Sequence, residues 1–204
     1  METAERDALV GLYESRYHEL GRDVRSLGWN TIDDQQLRFR VLSQIADLSN
    51  ASVCDIGCGF ADLLPFLRER FDDVTYTGVD VTPSFITEAK GRFPEASFHC
   101  LDILEGPFTE RADYFLLSGA LNYRVADNER LTCGMLEKMF SLANKGVAVN
   151  FLTSLVNFER PLNFHHDPMV TFGWARQLTK WVTLRHDYPL WEFTLYLHKE
   201  PQNA

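Results

Sequence analysis

Residues able to do chemistry gather early in the chain, in the run Asp55-Ile56-Gly57-Cys58-Gly59. Two glycines separated by one residue stand between an apolar run ending at Ile56 and apolar positions of helical spacing after Phe60, which predicts a tight turn from a strand into a helix. Such a turn lets the backbone approach a ligand closely, and the N–H groups of the following helix can meet a negative group. Asp80 ends the next strand-like run, 25 residues after Asp55, and Asp102 ends the run after that. A carboxylate placed like Asp80 can accept hydrogen bonds from two ribose hydroxyls, and Asp102 or its neighbouring backbone can face an adenine amino group. Three acids at three successive strand ends therefore point to a nucleoside-bearing ligand laid across a sheet. Each acid alone could equally cap a helix, a role open to Asp62 in the helix after the glycine turn.

The turn does not suit a dinucleotide. Its sequence is Gly57-Cys58-Gly59-Phe60-Ala61-Asp62, and an acid at the sixth position would repel a pyrophosphate. Asp62 is tolerable beside a cationic ligand.

Further candidates lie later in the chain. Ser118, Asn122 and Tyr123, in "LLSGALNY", offer hydrogen-bonding groups where a small substrate would sit, or else cap the next helix. His165 and His166, in "NFHHDP", could exchange a proton near neutral pH, the alternative being a surface loop in which they only hydrogen-bond. Only Asp167 lies beside them, and that triplet would not place three ligands on one face, so no metal is expected. Tyr13 and Tyr17 fall at helical spacing near the N-terminus, followed by Trp29, either closing over a ligand or packing their helix onto a sheet. The guanidinium of Arg38 could bind a carboxylate of a cofactor or of an acidic substrate.

Composition bounds the possibilities. The chain has 204 residues, 45% of them hydrophobic, enough for one substantial core in a single domain. Its 29 acids against 20 lysines and arginines give a formal charge of -9, which disfavours an extended nucleic-acid surface. No run of about 18 apolar residues exists and the charged N-terminus lacks a signal-peptide core, so a cytoplasmic protein without membrane contact is expected. Cys54, Cys58, Cys100 and Cys133 match no zinc spacing and are expected to be reduced and mostly buried.

The elements that must position these groups alternate. Two helices come first, the second capped by Thr31 with Asp34. From residue 51 strands "ASVCDIG", "VTYTGVD", "ASFHCLDI", "ADYFLLSG" and "GVAVNFLTS" alternate with helices "DLLPFLRERF", "PSFITEAKGRF" (capped by Thr82, with Pro83 in its first turn) and "NERLTCGMLEKMFSLAN", the last predicted to stop near Lys145 and Gly146. That order implies an α/β domain, a doubly wound and mostly parallel sheet with helices on both faces. A short helix around Met169 to Gln177 and two strands joined at Pro189 follow, the second alternating as a half-exposed strand would.

Taken together, "DIGCGFADLL", "YTGVDVTPSFITEAK", "FHCLDIL" and "DYFLLSGALNY" resemble the successive motifs of class I S-adenosylmethionine-dependent methyltransferases, over residues from about 35 to 199. The likeness is greatest to small enzymes of the trans-aconitate methyltransferase kind. It implies a seven-stranded Rossmann-like sheet with an antiparallel C-terminal hairpin, a helical lid over residues 1–48 and a cofactor-binding core over 49–204. It implies S-adenosyl-L-methionine as cofactor, with Asp55, Gly57, Cys58 and Gly59 around its methionine part, Asp80 at the ribose, Val81 against adenine, Asp102 and Ile103 at the adenine edge, and Ser118 and Gly119 in a further contacting loop. The family's frequent third glycine is Ala61 here. Arg38 joins the cofactor-binding set; Tyr13, Tyr17 and Asn122 are substrate candidates; His165, His166 and Tyr123 are catalytic candidates. The implied activity is methyl transfer to a small-molecule O, N or S nucleophile, acids slightly favoured, by a monomer or homodimer. A cofactor-binding protein without transfer activity, working through a partner, is the competing possibility.

Overall fold

Seven strands form one sheet in the order β3-β2-β1-β4-β5-β7-β6 in a computed structural model that describes residues 2–158 and 160–202. In chain order the elements are α1 (Thr3–Leu20), α2 (Ile32–Ser43), β1 (Ser52–Ile56), α3 (Leu63–Arg68), β2 (Thr75–Asp80), α4 (Pro83–Arg92), β3 (Ser97–Cys100), β4 (Ala112–Ser118), α5 (Asn128–Leu142), β5 (Ala143–Leu152), α6 (Pro168–Leu178), β6 (Val182–Arg185) and β7 (Glu192–His198). Strands β1 to β5 run parallel, whereas β7 is antiparallel to both β5 and β6. The doubly wound seven-stranded architecture with its closing hairpin is thus the one the motif order implies. Strand order reverses between β1 and β4, both of which are paired to each other while their chain neighbours lie to either side. In sheets of this kind ligands lie outside the carboxyl ends of the strands at that reversal.

Two apolar layers hold the sheet. Phe115, Leu117, Val149, Phe151 and Phe193 pack under α5 and α6, and Phe39, Leu42, Leu64, Leu116 and Tyr196 pack under α2, α3 and α4 on the other face. Each such buried Phe or Leu contributes on the order of 1.5–3 kcal/mol. Helix α5 begins where Asp127 accepts a hydrogen bond from the Arg130 N–H (2.9 Å) and α6 where Asp167 accepts from Met169 and Val170 N–H groups; Thr31 caps α2 by accepting from Asp34 N–H.

Local signals mislead at several points. Helix α5 stops at Leu142, and β5 begins at once, because Ala143 is extended (φ -68°, ψ 139°) and already pairs with Ala112 on β4. Strand β7 is buried along its whole length although its sequence alternates. Pairing between β5 and β6 places it inside the sheet, and its polar face meets α2, where the Tyr196 hydroxyl donates to the Val41 carbonyl (2.5 Å). Asp62 does not cap α3; it pairs with Arg92 (2.7 Å) and accepts from Gln35 (3.4 Å). Thr82 stands at the cap position of α4 without a side-chain bond. All four cysteines are free; Cys54 and Cys58 are buried, but Cys100 is exposed at the end of β3 and Cys133 half-buried.

Helix α2 packs on the sheet against β4 and β5, whereas α1 and the turn after it stand outside the two apolar layers. Leu9 is the one buried residue of α1. Ring contacts of Tyr13 with Phe85 and of Tyr17 with Phe60 and Phe85 hold it together with polar contacts: Glu5 accepts from Ala126 N–H (2.6 Å), Glu14 accepts from Ser84 N–H (3.1 Å), the Tyr17 hydroxyl donates to Glu88 (3.0 Å), and Arg6 pairs with Glu105. Glu14 thereby supplies the cap that Thr82 does not. None of the helices is long and apolar enough to cross a membrane, among the described residues.

Candidate active site

A cavity of about 280 Å³ opens over the carboxyl ends of the parallel strands, roofed by α1 and the turn at Leu27–Asn30. Its base is the glycine turn. Gly57 (φ +72°) and Gly59 (φ +55°) adopt left-handed backbone, and a Cβ on Gly57 would lie 2.6 Å from that of Ala120 in the loop after β4. A larger side chain there would part the two loops. Ala61, at the position of the family's third glycine, is also left-handed (φ +58°) and fully buried, a conformation that costs an alanine roughly 1–2 kcal/mol.

Asp80 ties this turn to the second strand. One carboxylate oxygen accepts from Gly59 N–H and the other from Thr82 N–H, both at 2.9 Å. Each oxygen retains a lone pair for a ligand hydroxyl. Burial raises the Asp80 pKa, and those two N–H groups oppose the rise. Asp55 is buried beneath the turn, where it accepts from the Tyr76 hydroxyl (2.6 Å); burial pushes its pKa up to about 7 despite that bond. Asp102 turns its own loop by accepting from Leu104 N–H (2.9 Å). Burial holds the Cys58 thiol well above its ordinary pKa, which leaves it uncharged and unreactive.

Most of the residues singled out in the sequence meet at this cavity. Asp55, Gly57, Cys58, Gly59, Asp80, Val81, Asp102, Ile103, Ser118 and Gly119 all line it, as do Arg38, Tyr13, Asn122 and Tyr123. Burial pushes the Tyr13 phenol up to about 12, so it stays protonated at neutral pH. Asn122 joins two loops: its side-chain oxygen accepts from Leu152 N–H (2.9 Å), and its carbonyl accepts from Phe164 N–H (2.9 Å) and Asn163 Nδ2 (3.2 Å).

Three of the expected site residues stand elsewhere. Tyr17 packs its ring against Phe60 and Phe85 and gives its hydroxyl to Glu88, outside the cavity lining. His165 and His166 lie behind the wall. His165 Nδ1 bonds the Thr153 carbonyl at 2.8 Å, and His166, 1% exposed between Phe151 and Phe164, bonds the Leu121 carbonyl through Nε2 at 3.2 Å. Burial lowers the His166 pKa to about 4. Uncharged and enclosed, His166 secures the loop after β4 and is in no position to take a proton from a bound acceptor. Nothing in a His-His-Asp-Pro loop signals that burial; it arises from the bridge between Thr153 and His166, which folds the segment back along β5.

Glu192 is a cavity residue that no local motif marks. It lines the cavity from the start of β7 and bonds Arg38, 154 positions earlier in the chain. The available hint was its place on a strand whose polar positions recur every second residue and therefore need a polar cover.

Fold and cavity define a doubly wound α/β domain with a ligand seat at its topological switch point. A methyltransferase domain model matches residues 53–146. Rv1506c of Mycobacterium tuberculosis, named as a methyltransferase, is 32% identical over 158 residues, covering 72% of this chain and 93% of that protein. The chain belongs to the class I S-adenosylmethionine-dependent methyltransferases. It is 30% identical over 91 residues to the trans-aconitate 2-methyltransferase of Klebsiella pneumoniae, a match that spans 45% of this chain and 36% of that enzyme. Magnesium protoporphyrin IX methyltransferase of Synechocystis PCC 6803, solved with bound S-adenosylmethionine, shares the fold with a TM-score of 0.69 at 16% identity, covering 97% of this chain and 96% of that one.

Proposed function

We propose that this methyltransferase acts on a small-molecule acceptor, with an acid favoured, and that the cavity seats donor and acceptor side by side. The observation that carries the proposal is the single continuous cavity joining the glycine turn, Asp80 and Asp102 to Ser118, Asn122 and Tyr123. When bound, S-adenosylmethionine supplies a methyl group on a positively charged sulfur, which departs as a neutral thioether when a nucleophile displaces it in line.

The residues present fit that donor. Gly57 and Gly59 leave space where side chains would stand, Asp80 keeps lone pairs free for ribose hydroxyls, and Val81, Asp102 and Ile103 supply a mixed apolar and polar wall for adenine. Asp55, titrating near 7, stands beneath the methionine part and gains its charge most readily beside a cation. Helix α1 and the turn carrying Trp29 act as the lid, which excludes water and keeps the two reactants aligned, the main source of rate in such a displacement. No histidine lines the cavity among the described residues, and the Tyr13 phenol is protonated. An acceptor arriving already deprotonated, as a carboxylate does at neutral pH, needs no base from the protein.

Calorimetry with S-adenosylmethionine and its demethylated product tests the donor seat. Asp80→Ala is expected to weaken donor binding by about 1–3 kcal/mol while circular dichroism confirms a folded chain. Unchanged affinity in a folded variant would remove Asp80 from the seat. Donor binding without product formation on any pool of small acids, amines or thiols would favour the inactive partner protein instead.

A further inference from the structure

On the α2 face of the sheet, at the ends of β4, β5 and β7, the cavity wall contains a buried ion pair. Arg38 is 8% exposed and Glu192 1% exposed. Arg38 Nε donates to both Glu192 oxygens at 2.7 Å, Nη2 donates to Oε1, and Asn150 Nδ2 donates to Oε2 at 2.9 Å. Trp29 covers the guanidinium, its ring centre 4.3 Å from Cζ. Glu192 is therefore fully satisfied, and the Nε–Nη2 side of the arginine fork is used.

The other end of the fork is not used. Arg38 Nη1, the Ser118 hydroxyl and Asn150 Oδ1 are all buried, and none has a hydrogen-bond partner among the described residues. Ser118 and Asn150 are directly paired across β4 and β5, and Leu152, two residues on, is paired with Glu192, so all of these side chains share one face. Buried polar atoms are nearly always partnered, and two of these orphans, Arg38 Nη1 and the Ser118 hydroxyl, are donors that mark a place for an accepting group of a ligand, whereas Asn150 Oδ1, itself an acceptor, takes no part.

We propose that this cluster is the acceptor's carboxylate subsite, an inference that rests on the methyltransferase function above. Arg38 Nη1 and the Ser118 hydroxyl donate to the carboxylate; Glu192 and Asn150 are positioning residues that fix the guanidinium. The location assigns the cluster to the acceptor, in place of the cofactor contacts expected of Arg38 and Ser118 from the sequence. Asn150 and Glu192 belong to β5 and β7, on the far side of β4 from the glycine turn, and the Trp29 ring stands against both Arg38 and Gly119. Charge selects the class of ligand. Because Glu192 already neutralises Arg38, a bound phosphate dianion would bring two uncompensated charges into a buried place. A carboxylate brings one, which the positive sulfur of the donor offsets. The acid therefore binds best to protein carrying the positive donor, and methyl transfer removes that attraction.

The test uses the full chain, with trans-aconitate and benzoate as probe acids titrated by calorimetry against protein saturated either with sinefungin, a non-transferring analogue bearing a positive amine, or with the neutral demethylated product. The expected result is acid binding roughly 10-fold or more tighter in the sinefungin complex, and a loss of roughly 10-fold or more in the double variant Arg38→Gln with Glu192→Gln, while sinefungin affinity stays within about twofold. Arg38→Lys keeps the ion pair but lacks the free end of the fork, and gives the same answer should the double variant unfold. Acids that fail to bind the wild-type complex, or bind the variants equally well, overturn the subsite. Parallel loss of sinefungin affinity also overturns it, assigning the cluster to the donor's own carboxylate. If wild-type protein binds neither sinefungin nor product, the methyltransferase function falls with it.

Discussion

His166 carries a pH dependence whose sign follows from its surroundings. In the unfolded chain its imidazole protonates near pH 6.5, whereas burial holds it neutral in the folded protein down to about pH 4. Between those values the unfolded state binds more protons, so stability rises with pH and is lost as pH falls through that window, by up to about 1.4 kcal/mol per unit. Urea unfolding of wild type and His166→Gln at pH 4.5, 5.5 and 7 is expected to show a steeper acid-side decline in the wild type; equal slopes would mean that His166 does not titrate on unfolding. At this scale the sequence was legible where chemistry is local. Asp55, Gly57, Gly59 and Asp80 announce themselves by spacing along one strand–turn–helix–strand run from β1 to β2. Arg38 was legible only as a free cation, since its partner Glu192 comes from the last strand, and no spacing rule links positions so far apart.

The turn between β1 and α3 is the element on which the seat depends. Gly57→Ala would force an alanine into left-handed backbone at a cost of roughly 1–2 kcal/mol, with its methyl driven into Ala120. The expected outcome is a lowered melting temperature together with loss of donor binding by calorimetry, and a variant that binds normally would show that the loops can part. Element types were readable because apolar periods of 2 and 3.6 reflect burial directly. The α5–β5 boundary was not, because Ala143, Asn144 and Lys145 suit a helix end as well as a strand start, and only pairing with β4 decides between them. The half-exposed expectation for strand β7 fails for a related reason. Alternation reports which positions are polar, and a helix carrying Arg38 and the Val41 carbonyl can cover a polar face as readily as water can.

Over the whole molecule, stability is unevenly distributed. The sheet carries the two apolar layers, while α1 contributes one buried residue, the ring contacts of Tyr13 and Tyr17 and a set of polar bonds, a sparser attachment of the kind from which lids are drawn. Hydrogen exchange is expected to be fast along α1 in the free protein and slowed when the donor binds, with β4 and β5 protected in both states; equal protection of α1 and β5 without donor would show that it is a fixed part of the core. Were α1 to swing away as the proposed lid, Glu14 would move with it, and the first turn of α4 would lose the carboxylate that accepts from Ser84 N–H. The spent nucleoside would then find its ceiling lifted and its ribose wall slackened by one movement, linking departure of the used cofactor to a single carboxylate on the N-terminal helix.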